Sequence, residues 1–186
     1  MRLNVKTHAS KTYSMVQKNT KPPKDQGGWM AVTKDILESS SYRSLSANAH
    51  KALDRLRVEH ISHMRSENGN LIVLHEQFYD YGVTAEYVAD ALDELAYKGL
   101  IKMRKGRAGN GTAHPTIFTL TFDGTRDGLP ATNDWKKITE EQTERWSKVE
   151  RKRKMEERAA LGRKRKSSLR DSEIRPLRDS EMRKAS

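Results

Sequence analysis

Apolar residues recur with helical spacing in two stretches of this chain. In the stretch 84–98 they fall at i, i+3, i+4 and i+7, at Val88, Ala91, Leu92 and Leu95. In the stretch 47–64 helical spacing gives Ala49, Leu53, Leu56, His60 and Met64, with Ala52 beside them. The pattern predicts two amphipathic helices, capped at their first turns by Thr84 and Ser46.

Shorter patterns complete the region around these helices. Gly82 and Gly99 each follow a helical segment and predict tight corners, because glycine readily adopts positive φ. The glycine-rich loop 105–111 separates two β-like runs, of which the second alternates. We therefore expect a short helix at 33–39, a strand at 71–74, a brief helix at 75–81, and strands at 101–104 and 117–122.

The order of these elements indicates a fold. From residue 71 onwards it is strand, helix, glycine turn, helix, strand, glycine-rich loop, strand. That order is typical of a winged helix-turn-helix, which is an α+β, mainly helical fold with a small antiparallel β-wing. We expect this domain to span residues 29–122, with 84–98 as its recognition helix.

Polar segments flank the expected domain. Residues 1–28 are interpreted as a disordered basic arm and residues 162–186, which contain a twofold Leu-Arg-Asp-Ser-Glu repeat, as a disordered basic tail. Between them, 123–138 is a predicted linker and 139–161 a predicted helix that opens on a capping-box pattern. This helix is charged on nearly all sides, so we do not expect it to pack in the core.

Composition excludes several classes of protein. Cys is absent, which removes disulfides, thiolate zinc sites and cysteine nucleophiles. No apolar run approaches the roughly 20 residues that span a bilayer, and the N-terminus lacks the apolar core of a signal peptide. We expect a soluble, cytoplasmic protein with no membrane partner.

The net charge of +11 is unevenly distributed. Residues 1–28 carry 6 Lys and Arg against 1 acid, 29–135 carry 12 against 14, and 136–186 carry 18 against 10. The flanks are therefore basic and the expected domain slightly acidic. Basic flanks favour attraction of a polyanion such as DNA, in a nucleoid-associated location, although solvated tails with no binding role fit the same charge.

Several short motifs are distributed over residues 27–135: Gly27-Gly28-Trp29-Met30, Leu37-Glu38-Ser39, Leu53-Asp54-Arg55-Leu56, Glu59-His60, Glu67-Asn68-Gly69-Asn70-Leu71, Tyr81-Gly82-Val83, Lys98-Gly99-Leu100-Ile101, Gly106-Arg107-Ala108-Gly109-Asn110 and Phe118-Thr119-Leu120-Thr121. In these motifs the chain resembles a bacterial family of mostly uncharacterised winged-helix proteins from phage, plasmid and chromosomal contexts. The resemblance implies DNA binding, in transcription regulation or in DNA replication.

A winged helix on double-stranded DNA predicts three groups of contact residues. The start of the recognition helix would meet base edges, and the wing would lie along the backbone. Two basic runs in the C-terminal part would add phosphate contacts, unless they are a solvated helix with internal ion pairs. The predicted contacts are Thr84, Glu86 and Tyr87; Arg104, Lys105, Arg107, Asn110 and Thr112; and Arg151, Lys152, Arg153, Lys154, Arg163, Lys164, Arg165 and Lys166.

The outward face of the expected recognition helix is acidic. It carries Glu86, Asp90 and Asp93 beside Tyr97, and carboxylates repel a phosphate lattice. Three interpretations follow: only the helix tip touches DNA, the face binds a protein partner, or the helix is a scaffold. A protein-interaction module is thus the alternative function.

Catalytic and metal motifs fail on spacing. His60 and His63 are three residues apart with Glu59 outside them, which does not match the metalloprotease helix, and a core histidine is the simpler interpretation of His60. A metal hydrolase built on the two histidines is a third hypothesis. The acidic pairs Asp93-Glu94, Glu140-Glu141 and Glu156-Glu157 are expected on solvated helix surface. We predict no enzyme, no cofactor and no metal.

Overall fold

The computed structural model describes residues 27–107 and 113–163. Most of the expected N-terminal arm and C-terminal tail lies outside these residues. So do five predicted contacts: Asn110, Thr112, Lys164, Arg165 and Lys166.

The described residues form an α+β, mainly helical structure with a small antiparallel sheet, which confirms the expected fold class at this level. The N-terminal half consists of α1 (Lys34–Glu38), α2 (Ser40–Arg43), α3 (Ala47–Ser62), β1 (Leu71–Ile72) and α4 (His75–Asp80). A 3₁₀ turn, Ala85–Tyr87, runs into α5 (Val88–Tyr97), which β2 (Ile101–Arg107) and β3 (Ala113–Leu120) follow. After β3 the described part of the chain contains a 3₁₀ turn at Asp134–Lys137, α6 (Glu140–Arg145), a π-helical turn at Trp146–Glu150 and α7 (151–163).

Helix α3 follows the predicted pattern except at its end. The Ser46 hydroxyl accepts from the Ala49 N–H at 3.2 Å, which is the expected cap. Its apolar stripe is buried as far as His60, but Met64 is 92% exposed, so its prediction as a core residue was wrong. Met64 and Arg65 adopt left-handed φ values of 50° and 65°, which end the helix and turn the chain towards β1.

The expected recognition helix begins differently from its prediction. Thr84 provides no side-chain cap; instead its carbonyl accepts from the Tyr87 N–H at 2.8 Å and the first turn is 3₁₀. The predicted cap at Thr84 was therefore wrong. The apolar stripe of α5 is confirmed, since Val88, Ala91 and Leu95 are buried against the core.

The three strands pair in the order β1-β3-β2, all antiparallel. Leu71 lies opposite Phe118 and Ile101 opposite Leu120, and these four side chains form the buried face of the sheet. The predicted strand at 71–74 is shorter than expected. The Leu74 N–H donates to the Gln77 side chain at 2.8 Å and so starts α4 in place of a ladder bond.

The segment after β3 returns to the domain. Trp135 is 5% exposed and belongs to the hydrophobic core. The hydroxyls of Ser41 and Ser40 donate to the carbonyls of Trp135 and Ile138, at 3.1 and 3.0 Å. The predicted linker thus fastens to α2, and α6 packs on the same helix.

The charged C-terminal helix also contacts the domain, contrary to its prediction as an unpacked helix. Thr143, Trp146 and Glu150 are buried, and Trp146 is only 3% exposed. Sequence periodicity missed this packing because the buried side is mostly polar. The C-terminal segment therefore covers part of the domain surface, and which part it covers bears on function.

Candidate nucleic-acid interface

The segment predicted to form a helix-turn-helix consists of α4, the turn at Gly82 and α5. Gly82 has φ of +89°, as its corner position predicted. Lys51 of α3 donates to the Gly82 carbonyl at 2.8 Å, and the Thr84 N–H donates to the Asn48 side chain at 3.3 Å. These bonds fix the turn on α3. They leave Thr84, Glu86 and Tyr87, three predicted contacts, exposed at the tip of the unit.

The outward face of α5 is not free, because the C-terminal segment lies across it. Asp90 is 7% exposed and accepts from Arg151 Nε at 2.5 Å and from Arg158 Nη2 at 3.2 Å. Asp93 accepts from Arg158 Nη1. The two carboxylates therefore have arginine partners from the same chain.

Aromatic contacts reinforce this cover. The rings of Tyr97 and Trp146 lie with centroids 5.3 Å apart, and the Arg151 guanidinium lies 5.8 Å from the centre of the Tyr87 ring. A cation over a tyrosine face and a buried tryptophan both stabilise contact between helices. The side of α5 that would enter a DNA groove thus faces protein.

Beside this contact lies a cavity of about 400 Å³ between α5, the start of α3 and the C-terminal segment. Its charged lining includes the buried pair Glu94 and Lys98, whose Oε1 and Nζ atoms are 2.7 Å apart. Glu94 also accepts from the N–H and the hydroxyl of Ser46. The prediction that Glu94 lies on solvated surface was wrong, since it joins α5 to the cap of α3.

The strands predicted to form the wing, β2 and β3, place Arg104 on the surface. Its side chain is exposed, and it forms no ion pair among the described residues. Lys102, two residues away on the same strand face, pairs with Asp134 at 2.9 Å. Hydrogen bonds from Lys137 and Lys102 hold the pKa of Asp134 far below its ordinary value of 3.8. Lys105 and Arg107 lie in β2, where the pairing register shifts between them.

Most of the first basic run is engaged in ion pairs. Arg153 pairs with Glu150 and Glu157, at 2.8 and 2.6 Å, and its hydrogen bond lowers the pKa of Glu150. Lys154 lies 3.5 Å from Glu157. Only Lys152 of the run 151–154 is without an ion pair within the part of the chain that the structure describes. The interpretation of this run as an ion-paired helix fits these contacts.

His60 is a core histidine, as its place on the apolar stripe predicted. It is fully buried, and its Nε2 lies 3.1 Å from Asp123 Oδ2. Burial raises the pKa of Asp123, but hydrogen bonds from His60, the Gly124 N–H and Arg65 outweigh this effect and lower it. His63 bonds instead to Glu59 at 3.2 Å. Residues 27–107 and 113–163 contain no group of three or more side chains suited to hold a metal ion.

The residues that hold the C-terminal segment in place, Trp146 and Arg158, were not predicted from the sequence. A signal existed, because Arg151 and Arg158 are seven residues apart and so lie on one side of a helix. That basic side complements the acidic face that had been assigned to DNA or to a partner protein. That these arginines pair with the carboxylates of α5 became visible only in the tertiary structure.

Comparison with family models, with curated proteins and with solved structures finds no match for this chain. The resemblance to a winged-helix family therefore stays a prediction. Among the described helices none has the length and apolar character to cross a membrane.

Proposed function

We propose that this chain is a winged helix-turn-helix protein that binds double-stranded DNA, as a transcription regulator or as an accessory of replication. The observation that carries the proposal is the topology. A helix-turn-helix unit packs on α3 and leads into the β2–β3 hairpin, while β1 pairs with the outer edge of β3. In a winged helix this arrangement places the hairpin loop beside the end of the recognition helix.

The exposed groups define how such a protein would bind. The tip residues Thr84, Glu86 and Tyr87 and the wing residue Arg104 are accessible, whereas Asp90 and Asp93 are covered. Wing contacts attach a protein to phosphate and sugar and carry little sequence information, whereas the start of the recognition helix is the part that meets base edges. We therefore propose attachment that is mainly electrostatic, with selectivity limited to the helix tip.

The covered face also bears on the alternative function. A protein-interaction module on the acidic face of α5 needs a free surface, and there the chain's own arginines and Trp146 take up that surface. No observation in the described residues favours a partner protein over DNA.

A salt titration tests the proposal. Full-length protein is titrated with a fluorescent duplex at several salt concentrations, and we expect log affinity to fall linearly with log salt at about 0.9 per phosphate neutralised. Arg104→Ala should weaken binding about equally on unrelated sequences and make the slope shallower by about 0.9.

Arg126→Ala is the matched control for the wing variant. It removes the same charge from an exposed arginine, but this one pairs with Glu67 at 3.0 Å. We expect the control to change the slope less than Arg104→Ala does. Absence of binding to any duplex at low salt would eliminate the proposed function, and equal effects of the two variants would remove the wing from it.

A further inference from the structure

The C-terminal segment is held on the domain in two different ways. Residues 140–150 are anchored by burial, through Thr143 and Trp146. Beyond the π-helical turn at Trp146–Glu150, no side chain of α7 is fully buried, and Lys154, Arg158 and Ala160 are half-buried. It is joined to α5 by ion pairs of Arg158 and, at the junction, of Arg151. One part of the segment is thus packed and the other is held by charge.

Partly exposed ion pairs are replaced by other ionic partners more easily than a buried apolar contact is broken. Arg151 and Arg158 are 45% and 33% exposed, so water and salt reach them. Partly exposed ion pairs contribute about 1 kcal/mol or less each and weaken as salt increases. By contrast, burial of a tryptophan is worth several times as much. The junction between the two parts is a π-helical turn, a feature frequent at functional sites in helices.

The carboxylates of α5 stand in for phosphate. A guanidinium recognises carboxylate and phosphate with the same planar arrangement of N–H donors. Asp90 receives two arginines and Asp93 one, so both guanidinium groups are directed to the acidic face of α5. A nucleic-acid backbone and this face therefore compete for the same two side chains.

We propose that Asp90 and Asp93 form an autoinhibitory contact, in which they hold Arg151 and Arg158 on α5 until DNA phosphates displace them. The inference rests on the proposed DNA binding and adds its regulation. In the closed form α7 covers α5 and two cations are neutralised. In the open form residues 140–150 stay anchored by Trp146, and α7 contributes both arginines to the phosphate backbone.

The test removes the two carboxylates without changing their size. Full-length Asp90→Asn/Asp93→Asn is titrated with the same duplex over the same salt range as the wild type. In the wild type DNA must displace the Asp–Arg pairs, and salt weakens those pairs. The gain in affinity of the variant should therefore be largest at low salt, which makes its slope of log affinity against log salt steeper than that of the wild type. Affinity at low salt should increase.

A charge-matched control distinguishes the effect of releasing Arg151 and Arg158 from the effect of removing two negative charges from the protein. Glu76→Gln/Asp80→Asn also removes two negative charges, from exposed residues of α4 that form no ion pair within the described part of the chain. We expect it to raise affinity slightly and to leave the slope as in the wild type. Thermal unfolding of each variant shows that it is folded.

Each outcome decides between the two proposals. If wild type binds and both double variants have the same slope, the autoinhibitory contact is refuted and DNA binding stands. If only Asp90→Asn/Asp93→Asn binds, or binds with the steeper slope, the contact is supported. If no protein binds, both proposals fail. Should the double variant not fold, Asp93→Asn alone replaces it, and an unchanged slope then refutes the contact.

Discussion

Lys98 is a lysine whose structural role is set by the groups around it. It is 1% exposed, and its ammonium donates to Glu94 and to the Ser44 carbonyl, both at 2.7 Å. A buried charge is tolerated when it is paired and hydrogen-bonded. In the sequence Lys98 is an ordinary polar residue at the end of a helix. Its role in fastening α5 to the loop before α3 depends on the carbonyl of Ser44, 54 positions away.

Asp123 gives a prediction at the same scale. Its pKa is lowered in the folded protein, so it favours folding above the carboxyl's ordinary pKa of 3.8, and this contribution is lost as pH falls through the lower folded value. We expect the wild type to lose more unfolding free energy than Asp123→Asn as pH decreases below about 4. Urea unfolding between pH 5 and pH 2 measures this difference. Parallel curves for the two proteins would contradict it.

At the scale of elements, the turn after α5 requires a glycine because the backbone of residues 134–135 passes close to Gly99. Gly99 has φ of +69°, and a Cβ there would lie 2.8 Å from the backbone of Asp134 and Trp135. The returning segment therefore fits against α5 only where no side chain intervenes. Glycine after a helix was predictable as a terminator, whereas its contact with residues 134–135 was not.

Alanine substitutions at two glycines should distinguish the energetic cost of a left-handed φ from the cost of steric overlap with the neighbouring backbone. We expect Gly99→Ala to destabilise the protein by about 3 kcal/mol, since left-handed φ and steric overlap both cost energy. Gly128→Ala is the control, because Gly128 has a similar φ of +76° but nothing within 4 Å of its Cβ position. That variant should lose about 1 kcal/mol. Chemical denaturation of both measures the difference, and equal losses would show that the overlap is relieved.

At the scale of the whole molecule, Trp146 joins the C-terminal segment to the domain. It is 3% exposed and lies against Tyr97 of α5. Trp146→Ala should cost about 3 kcal/mol, and amides of α5 should exchange faster with solvent. Val149→Ala, at a residue 52% exposed three positions away, should change stability by about 0.5 kcal/mol or less. Hydrogen exchange would contradict the anchor if both variants behaved alike.

Periodicity predicted the local elements of this protein and their order. The stripe Val88, Ala91 and Leu95, the cap at Ser46 and the turns at Gly82 and Gly99 depend on residues close in sequence, so the chain alone was sufficient to find them. The predictions failed where a distant residue decides. Glu94 and Asp90 were assigned to the surface because nothing near them in sequence shows that Ser46 would bond to the first, or that Arg151 and Arg158 would enclose the second.

The sequence by itself determined that this chain has an α+β core of amphipathic helices and short strands, because hydrophobic spacing is a local property. Only the tertiary structure decided what the acidic face of α5 contacts. Ion pairs between helices separated by about 60 residues leave no periodic trace, since charged positions on two helices look solvated until the helices meet. Hydrophobic spacing was therefore enough to predict candidate contacts at the start of α5 and on β2, whereas only the tertiary structure showed that the C-terminal segment covers the acidic face of α5.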